Sequence, residues 1–302
     1  MPRRLLAALC LFAFAPAPAL AHDGPSAEIA VLDVELKNRP NDVDLLLQRA
    51  ALHRRLGNLA SALADLARAE SVAPARREIY LERGLIRQEQ GDAAGAEADF
   101  SRYLDAGPPS ALALEGRAQI REASRRFSLA RADYDAALKL RGSADLYLAR
   151  GRMDEAEGKL DRAAAGYEEG LRALSGAVTL RIALVRVEIA RKHAERAVEL
   201  VDEAMASAPL KADWLLLRAD AHAAAGRHGA ALRDRESALR ELDETLARRP
   251  NDLARTTRAR ALLALGRAVE AKKELEGVVA RSSRLEEAQK LLAEARRRAG
   301  GK

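Results

Sequence analysis

An alanine recurs along this chain at a nearly fixed interval. Ala62, Ala96, Ala130, Ala163, Ala197, Ala231 and Ala271 are spaced 34, 34, 33, 34, 34 and 40 residues apart. Twelve residues before each lies a second small side chain: Ala50, Gly84, Ala118, Gly151, Ala219 and Ala259, with Val185 the exception. Five residues before the alanine stands a glycine in five units, at Gly57, Gly91, Gly158, Gly226 and Gly266. Pro74, Pro108 and Pro209 close three of them. A period of this length constrains the fold more than any other feature, because each unit is too short to bury an apolar face alone and must stack on its neighbours. Small side chains let two antiparallel helices approach closely, glycine ends the first helix, and proline stops the second. Composition agrees: alanine and leucine supply most of a 48% hydrophobic share, aromatics are only 3%, and β-branched runs are nearly absent. These are helix-forming preferences, and the expectation is an all-α chain.

The 34-residue helix–turn–helix unit resembles the tetratricopeptide repeat family. Its later aromatic slot holds Phe100, Tyr134 and Tyr167, with Leu66 and Leu275 in other units. The resemblance covers about residues 43 to 283 and implies a right-handed α-α superhelix of seven repeats. Departures are visible. Leu46, Tyr80, Leu114, Tyr147 and Leu215 fill an early slot where the family often has tryptophan or another large residue. The fifth unit is the loosest, with Val185 at the small position and Lys192 at the turn. The sixth is long by about two helical turns, its second helix expected from Gly229 to Arg248 with Leu232, Leu239, Leu242 and Leu246 along one stripe. That extension is either an interaction arm or an accommodated insertion. The expected organisation is a signal peptide at 1–21, an N-terminal capping helix within 22–42, the repeats at 43–283, and a C-terminal capping helix and tail at 284–302. The tetrapeptide "RPND" at 39–42 and again at 249–252 reads as a stop followed by a helix cap.

The leader reading rests on Arg3 and Arg4 before an apolar run from Leu5 to Ala15, then Ala19-Leu20-Ala21 as a small-residue cleavage site. A membrane anchor is disfavoured, since a span needs about 20 apolar residues and Pro16 and Pro18 interrupt this one. Export, most simply to a periplasm, is therefore expected, with an extracellular destination as the alternative. Cleavage removes Cys10, the only cysteine, so disulfide and thiol chemistry are not expected. It also lowers the formal charge from +6 to +4, because Arg3 and Arg4 leave. Arginine and glutamate are interleaved rather than clustered, which argues against a nucleic-acid footprint.

No nucleophile elbow, phosphate-binding loop or dinucleotide glycine pattern occurs, and neither enzymatic chemistry nor a cofactor is expected. His53 and His222 are equivalent by repeat position and His228 follows the turn after His222, but two histidines fall short of the three or four ligands a metal site uses. Tyr80, Phe100, Tyr103, Phe127, Tyr134, Tyr147, Tyr167 and Trp214 each fall on or beside a packing position, leaving none for stacking on a ligand ring. The family resemblance implies that the first helices line a concave groove meeting a protein or peptide partner. Carried over, the groove residues are Leu47, Arg54, Arg55, Leu81, Gln88, Glu89, Gln119, Glu122, Arg152, Glu155, Arg186, Asp220 and Arg260, with Ile182, Ile189 and Leu216 among their apolar neighbours. Relatives that clamp a C-terminal carboxylate use lysine and asparagine on this face; Leu47 and Ala51 stand in two of those slots, so that activity is not implied. Two other readings stay open: contact through the outer face or the long sixth-unit helix, and a metal-carrying or enzymatic module around His222 and His228.

One charged position repeats within the apolar framework. Arg49, Arg83, Arg117, Arg150, Arg218 and Arg258 share a slot that holds Leu184 in the fifth unit. Sixteen residues onward stand Asp65, Asp99, Asp133, Asp234 and Glu274, but Gly166 in the fourth unit and Leu200 in the fifth. Arginine travels with an acid and leucine with leucine. The expectation is a partly buried Arg–carboxylate strut inside each hairpin, with Arg150 left lacking an evident partner.

Overall fold

The computed structural model describes residues 24–300, and the expected leader at 1–21 lies outside them. Among the described residues there are sixteen α-helices and no strand. Close contacts divide the chain into two units, Met1–Pro109 and Ser110–Lys302. The first contains α1 (Pro25–Asn38), α2 (Val43–Arg55), α3 (Leu59–Val72), α4 (Glu78–Glu89) and α5 (Ala93–Asp105). The second begins with α6 (Ala111–Ala123), α7 (Phe127–Leu140), α8 (Ala144–Ala156), α9 (Leu160–Ala173), α10 (Val178–Ala190) and α11 (Ala194–Met205). It continues with α12 (Ala212–Ala224), α13 (His228–Arg248), α14 (Asp252–Ala264), α15 (Ala268–Arg281) and α16 (Glu286–Ala299).

Within each unit a helix packs on the next, and first helices also touch first helices: α2 with α4, then α8 with α10, α10 with α12 and α12 with α14. That is the helical-solenoid arrangement the period implies. The recurring alanines (Ala62, Ala96, Ala130, Ala163, Ala197 and Ala271) have no exposed surface, and Ala231 has almost none. Glycine at the preceding small position goes with an aromatic ring opposite. A Cβ on Gly84 would stand 2.8 Å from the Phe100 ring, and one on Gly151 would stand 2.2 Å from the Tyr167 ring.

The five hairpin glycines have φ between +72° and +79°. At the first, the amide of Gly57 donates to the Arg54 carbonyl at 2.9 Å and that of Asn58 to the His53 carbonyl at 2.8 Å, closing the helix end in a left-handed cap. Arg125 and Lys192, where glycine is missing, take the same conformation at φ +58° and +67°. The hairpin geometry is imposed by packing of the two helices, and an L-residue is carried into the left-handed region by it. In the two "RPND" segments, different residues cap the next helix. Asp42 accepts from the amides of Asp44 and Leu45, whereas Asn251 accepts from that of Ala254 at 2.7 Å.

The long α13 is held along its length. Leu239 and Leu242 are buried in the core shared with α14 and α15, the Lys211 amide donates to Glu241, and Asp243 pairs with Arg258. Leu232 is a correction to the expected stripe, being 48% exposed beside the turn.

The arginine slot is an internal strut and also a link between hairpins. Arg49 donates from Nε and Nη2 to the two oxygens of Asp65 at 2.9 and 2.6 Å. The same two-pronged contact joins Arg83 to Asp99, Arg117 to Asp133 and Arg218 to Asp234. Arg258 reaches Glu274 with one nitrogen at 2.7 Å. Four of these arginines turn their remaining nitrogen to an acid on the preceding helix: Asp33, Glu70, Asp202 and Asp243. These partners hold the guanidinium groups of Arg49, Arg83 and Arg218 charged well beyond their ordinary range, the strut aspartate contributing most. Arg150 follows a variant pattern. With Gly166 opposite, it donates to that residue's carbonyl at 3.2 Å, to Glu169 at 2.8 Å and to Asp135 at 3.3 Å. In the fifth unit Leu184 and Leu200 are both buried, so the slot is filled by packing.

Candidate binding groove

Positions three and four residues apart share one face of a helix, and in the second unit that face of the first helices turns toward a common concavity. On α10 this face carries Val178, Ile182, Arg186 and Ile189; on α12 it carries Asp213, Leu216, Leu217 and Asp220. With Trp214, Leu210, and Arg260 and Ala264 of α14, these residues enclose a pocket of about 500 Å³. A second hollow, lined by Leu148, Arg152, Glu155, Tyr167, Thr179, Ile182, Ala183 and Arg186, adjoins it through Ile182 and Arg186. A third, formed by α6, α7 and α8, adjoins the second through Leu148 and Arg152 and includes Glu115, Gln119, Glu122, Tyr134 and Asp145. The result is one continuous lined path from α6 to α14.

The seven expected groove residues of this unit, Gln119, Glu122, Arg152, Glu155, Arg186, Asp220 and Arg260, all stand on that path. They are not equally available. Glu122 accepts from the Tyr134 hydroxyl at 2.8 Å, and Glu155 accepts from the Tyr167 hydroxyl. Burial, reinforced by the neighbouring carboxylate, pushes both phenols above their ordinary range. Arg260 is paired with Asp213 and with Glu287, the latter at 3.3 Å. Asp220 presents its carboxylate to solvent but sits in a concave wall that displaces much of the surrounding water. Desolvation raises its pKa, and Arg235, Arg260 and Arg186 oppose the rise. Arg152 and Arg186 are exposed and form no ion pair among the described residues.

In the first unit the expected groove residues are differently disposed. Leu47 is half-buried against the core, and Leu81 and Gln88 are also half-buried. Arg55, by contrast, is exposed. Arg54 bonds Glu82 and Glu89 at 3.1 Å each, so this arginine and Glu89 serve each other across two hairpins.

The aromatic inventory needs correcting. Trp214 is 9% exposed and was expected only to pack, yet its ring forms part of the pocket wall, as Tyr134 and Tyr167 do in the two adjoining hollows. Phe127 is half-buried at the start of α7. No sequence signal separates Trp214 from a core residue, because the pocket arises only where α10, α12 and α14 converge.

The histidines have structural surroundings. His222 lies 3.8 Å from Asp234, and burial lowers its pKa against the pull of that carboxylate. Among the described residues no group of three or more His, Cys, Asp or Glu is placed to hold a metal ion. Nor is any described helix long and apolar enough to cross a membrane.

Comparison with known proteins gives one family and a set of folds. The model of the family described as "Tetratricopeptide repeat" matches residues 47–111, 81–145 and 182–234, about half the chain. No match was found among the curated proteins. Among solved structures, a tetratricopeptide repeat protein from Parabacteroides merdae is 17% identical, with 84% of this chain and 98% of that one covered and a TM-score of 0.58. The C-terminal part of a TPR repeat-containing protein from Cytophaga hutchinsonii is 19% identical, with 82% and 99% covered and a TM-score of 0.57. YrrB, described as a TPR protein with an unusual peptide-binding site, is 16% identical, with 69% and 99% covered and a TM-score of 0.52. At these identities the likeness is one of fold.

Proposed function

Since this chain belongs to the tetratricopeptide repeat family, we propose that it is an exported, non-enzymatic scaffold that holds an extended segment of a protein partner along the groove of its second unit. The observation that carries this reading is the continuity of three hollows along the first helices, joined by shared Leu148, Arg152, Ile182 and Arg186. A path with an apolar wall and a few placed charges suits a peptide, whose backbone and alternating side chains need a long, narrow contact. The unusual peptide-binding site of YrrB belongs to that protein and adds an analogy. Export rests on the expected leader at 1–21, and a role in assembling an envelope complex, most simply in a periplasm, is proposed by analogy with exported members of the family.

Two measurements test this reading. The N-terminus of the protein recovered from its native host should begin at His22 and the protein should fractionate with the envelope; an uncleaved cytosolic chain would refute export. Photo-crosslinking residues placed at Thr179 and Ala183 in the groove should trap one partner, and the same chemistry at Arg172 and Glu236 should not. Equal trapping from both sets would transfer the binding role away from the groove.

A further inference from the structure

The three hollows differ in how their charges are satisfied, and that difference specifies a ligand. In the two that meet at Arg186 there are three carboxylates, and each has a partner. Glu155 takes the Tyr167 hydroxyl, Asp213 takes Arg260, and Asp220 lies 3.8 Å from Arg235. The remaining charged groups there are Arg152 and Arg186, which have no carboxylate within ion-pair distance among the described residues. They occupy the same repeat position on α8 and α10, helices that touch, and both line the hollow between those helices. Next to this positive stretch lies the apolar pocket walled by Trp214, Ile182, Ile189, Leu216 and Leu217.

We infer that the groove selects an extended peptide bearing an aspartate or glutamate side chain, seated between Arg152 and Arg186, and an aliphatic or aromatic side chain in the Trp214 pocket. This rests on the groove being the binding surface. Packed helices stand about 8–10 Å apart, so the gap from the α8–α10 midpoint to α12 is roughly 12–15 Å. An extended chain advances about 3.3–3.6 Å per residue, which separates the two anchors by about four residues. An even separation puts both side chains on the same side of the peptide, as simultaneous seating requires. A carboxylate matches arginine by paired hydrogen bonds, whereas a lysine or arginine at that position would meet two like charges.

Trp214 is the only tryptophan in the sequence, so its fluorescence reports occupancy of the apolar pocket directly. The probes are synthetic glycine/serine peptides with glutamate and leucine four positions apart, in both chain directions, together with versions in which glutamate becomes glutamine or lysine, or leucine becomes serine. The full-length mature protein is titrated with each, and heat of binding is measured in parallel. One direction of the glutamate–leucine peptide should shift the Trp214 emission. Glutamine should weaken binding about tenfold, lysine should weaken it further, and serine should abolish the shift. The charge-reversed protein R152E/R186E should prefer the lysine peptide. Both substitutions are at exposed positions, and an unchanged helical signal and melting temperature confirm the fold. Equal binding of the glutamate and lysine peptides overturns the acidic preference but leaves the groove as a binding site. Absence of both fluorescence change and heat for every peptide overturns the groove reading and the inference with it.

Discussion

Replacing Arg49 by leucine isolates the energy of the struts. Asp65 has 8% of its side-chain surface exposed and Arg49 has 20%, and both oxygens of the aspartate are bonded by this one guanidinium. Removing the arginine leaves a buried carboxylate with no donor, a class of change that costs about 3–5 kcal/mol when the site is dry. Because a fifth of Arg49 reaches water, about 3 kcal/mol is expected. Asp65→Leu is milder, about 1–2 kcal/mol, since Arg49 keeps its bond to Asp33, which is itself 48% exposed and easily rehydrated. The double substitution to leucine recreates the pair that the fifth hairpin already contains, Leu184 with Leu200, buried to 1% and 3% exposure. It should cost under about 1 kcal/mol, so the cycle should show a coupling of about 3 kcal/mol. A stack of repeats opens locally, and the matching readout is amide hydrogen exchange in α2 and α3 together with urea unfolding. The Arg49→Leu protein should exchange there some tens of times faster than the double variant, which is the free-energy difference of about 2 kcal/mol expressed as an opening equilibrium. If the single variant is as well protected as the double, the strut is a surface ion pair of little consequence and the register argument fails.

Three other outcomes follow from particular contacts. Gly166→Asp supplies the carboxylate that the fourth hairpin lacks; its Cβ would stand 3.1 Å from the Arg150 guanidinium, a movable group, and urea unfolding should show a gain of about 1 kcal/mol. Gly151→Ala drives a methyl into the Tyr167 ring at 2.2 Å and should destabilise by about 2 kcal/mol or more, with Tyr167→Leu restoring much of the loss because Ala50 faces Leu66 in the first hairpin. His222 has a folded-state pKa below its unfolded value of 6.5. The unfolded chain therefore binds the extra proton first, and stability present above that value is lost as pH falls through the folded pKa. Melting temperature measured from pH 7 to 5 should fall less in His222→Leu than in the parent, and parallel curves would remove His222 from the acid limb.

Much of the candidate groove was legible because a repeat multiplies each observation. Once Arg152 is aligned with Gln119, Arg186, Asp220 and Arg260, all five share a face, and the structure puts all five along one path. What each can do was not legible. Arg54 and Glu89 read as groove residues but spend their charge on each other, and Arg260 is matched by Asp213 and Glu287. Ion pairs between hairpins depend on side-chain direction and helix spacing, neither of which a spacing rule contains. The same limit hid the second arm of the struts, in which Asp33, Glu70, Asp135, Asp202 and Asp243 join Arg49, Arg83, Arg150, Arg218 and Arg258 to the preceding helix without one fixed sequence separation.

The residues alone therefore settled the fold class, the hairpin period and the arginine–acid pairing inside five of the seven hairpins. Those follow from local requirements: a small side chain where helices touch, a left-handed turn, an acid sixteen residues from an arginine. Tertiary structure decided the rest. It carried Arg125 and Lys192 into a glycine conformation, gave Arg150 a carbonyl and Glu169 in place of the missing aspartate, and turned Trp214 from a packing residue into a pocket wall. Each of these outcomes depends on where a neighbouring helix stands, and helix positions are set by the sum of contacts along the stack rather than by any one repeat.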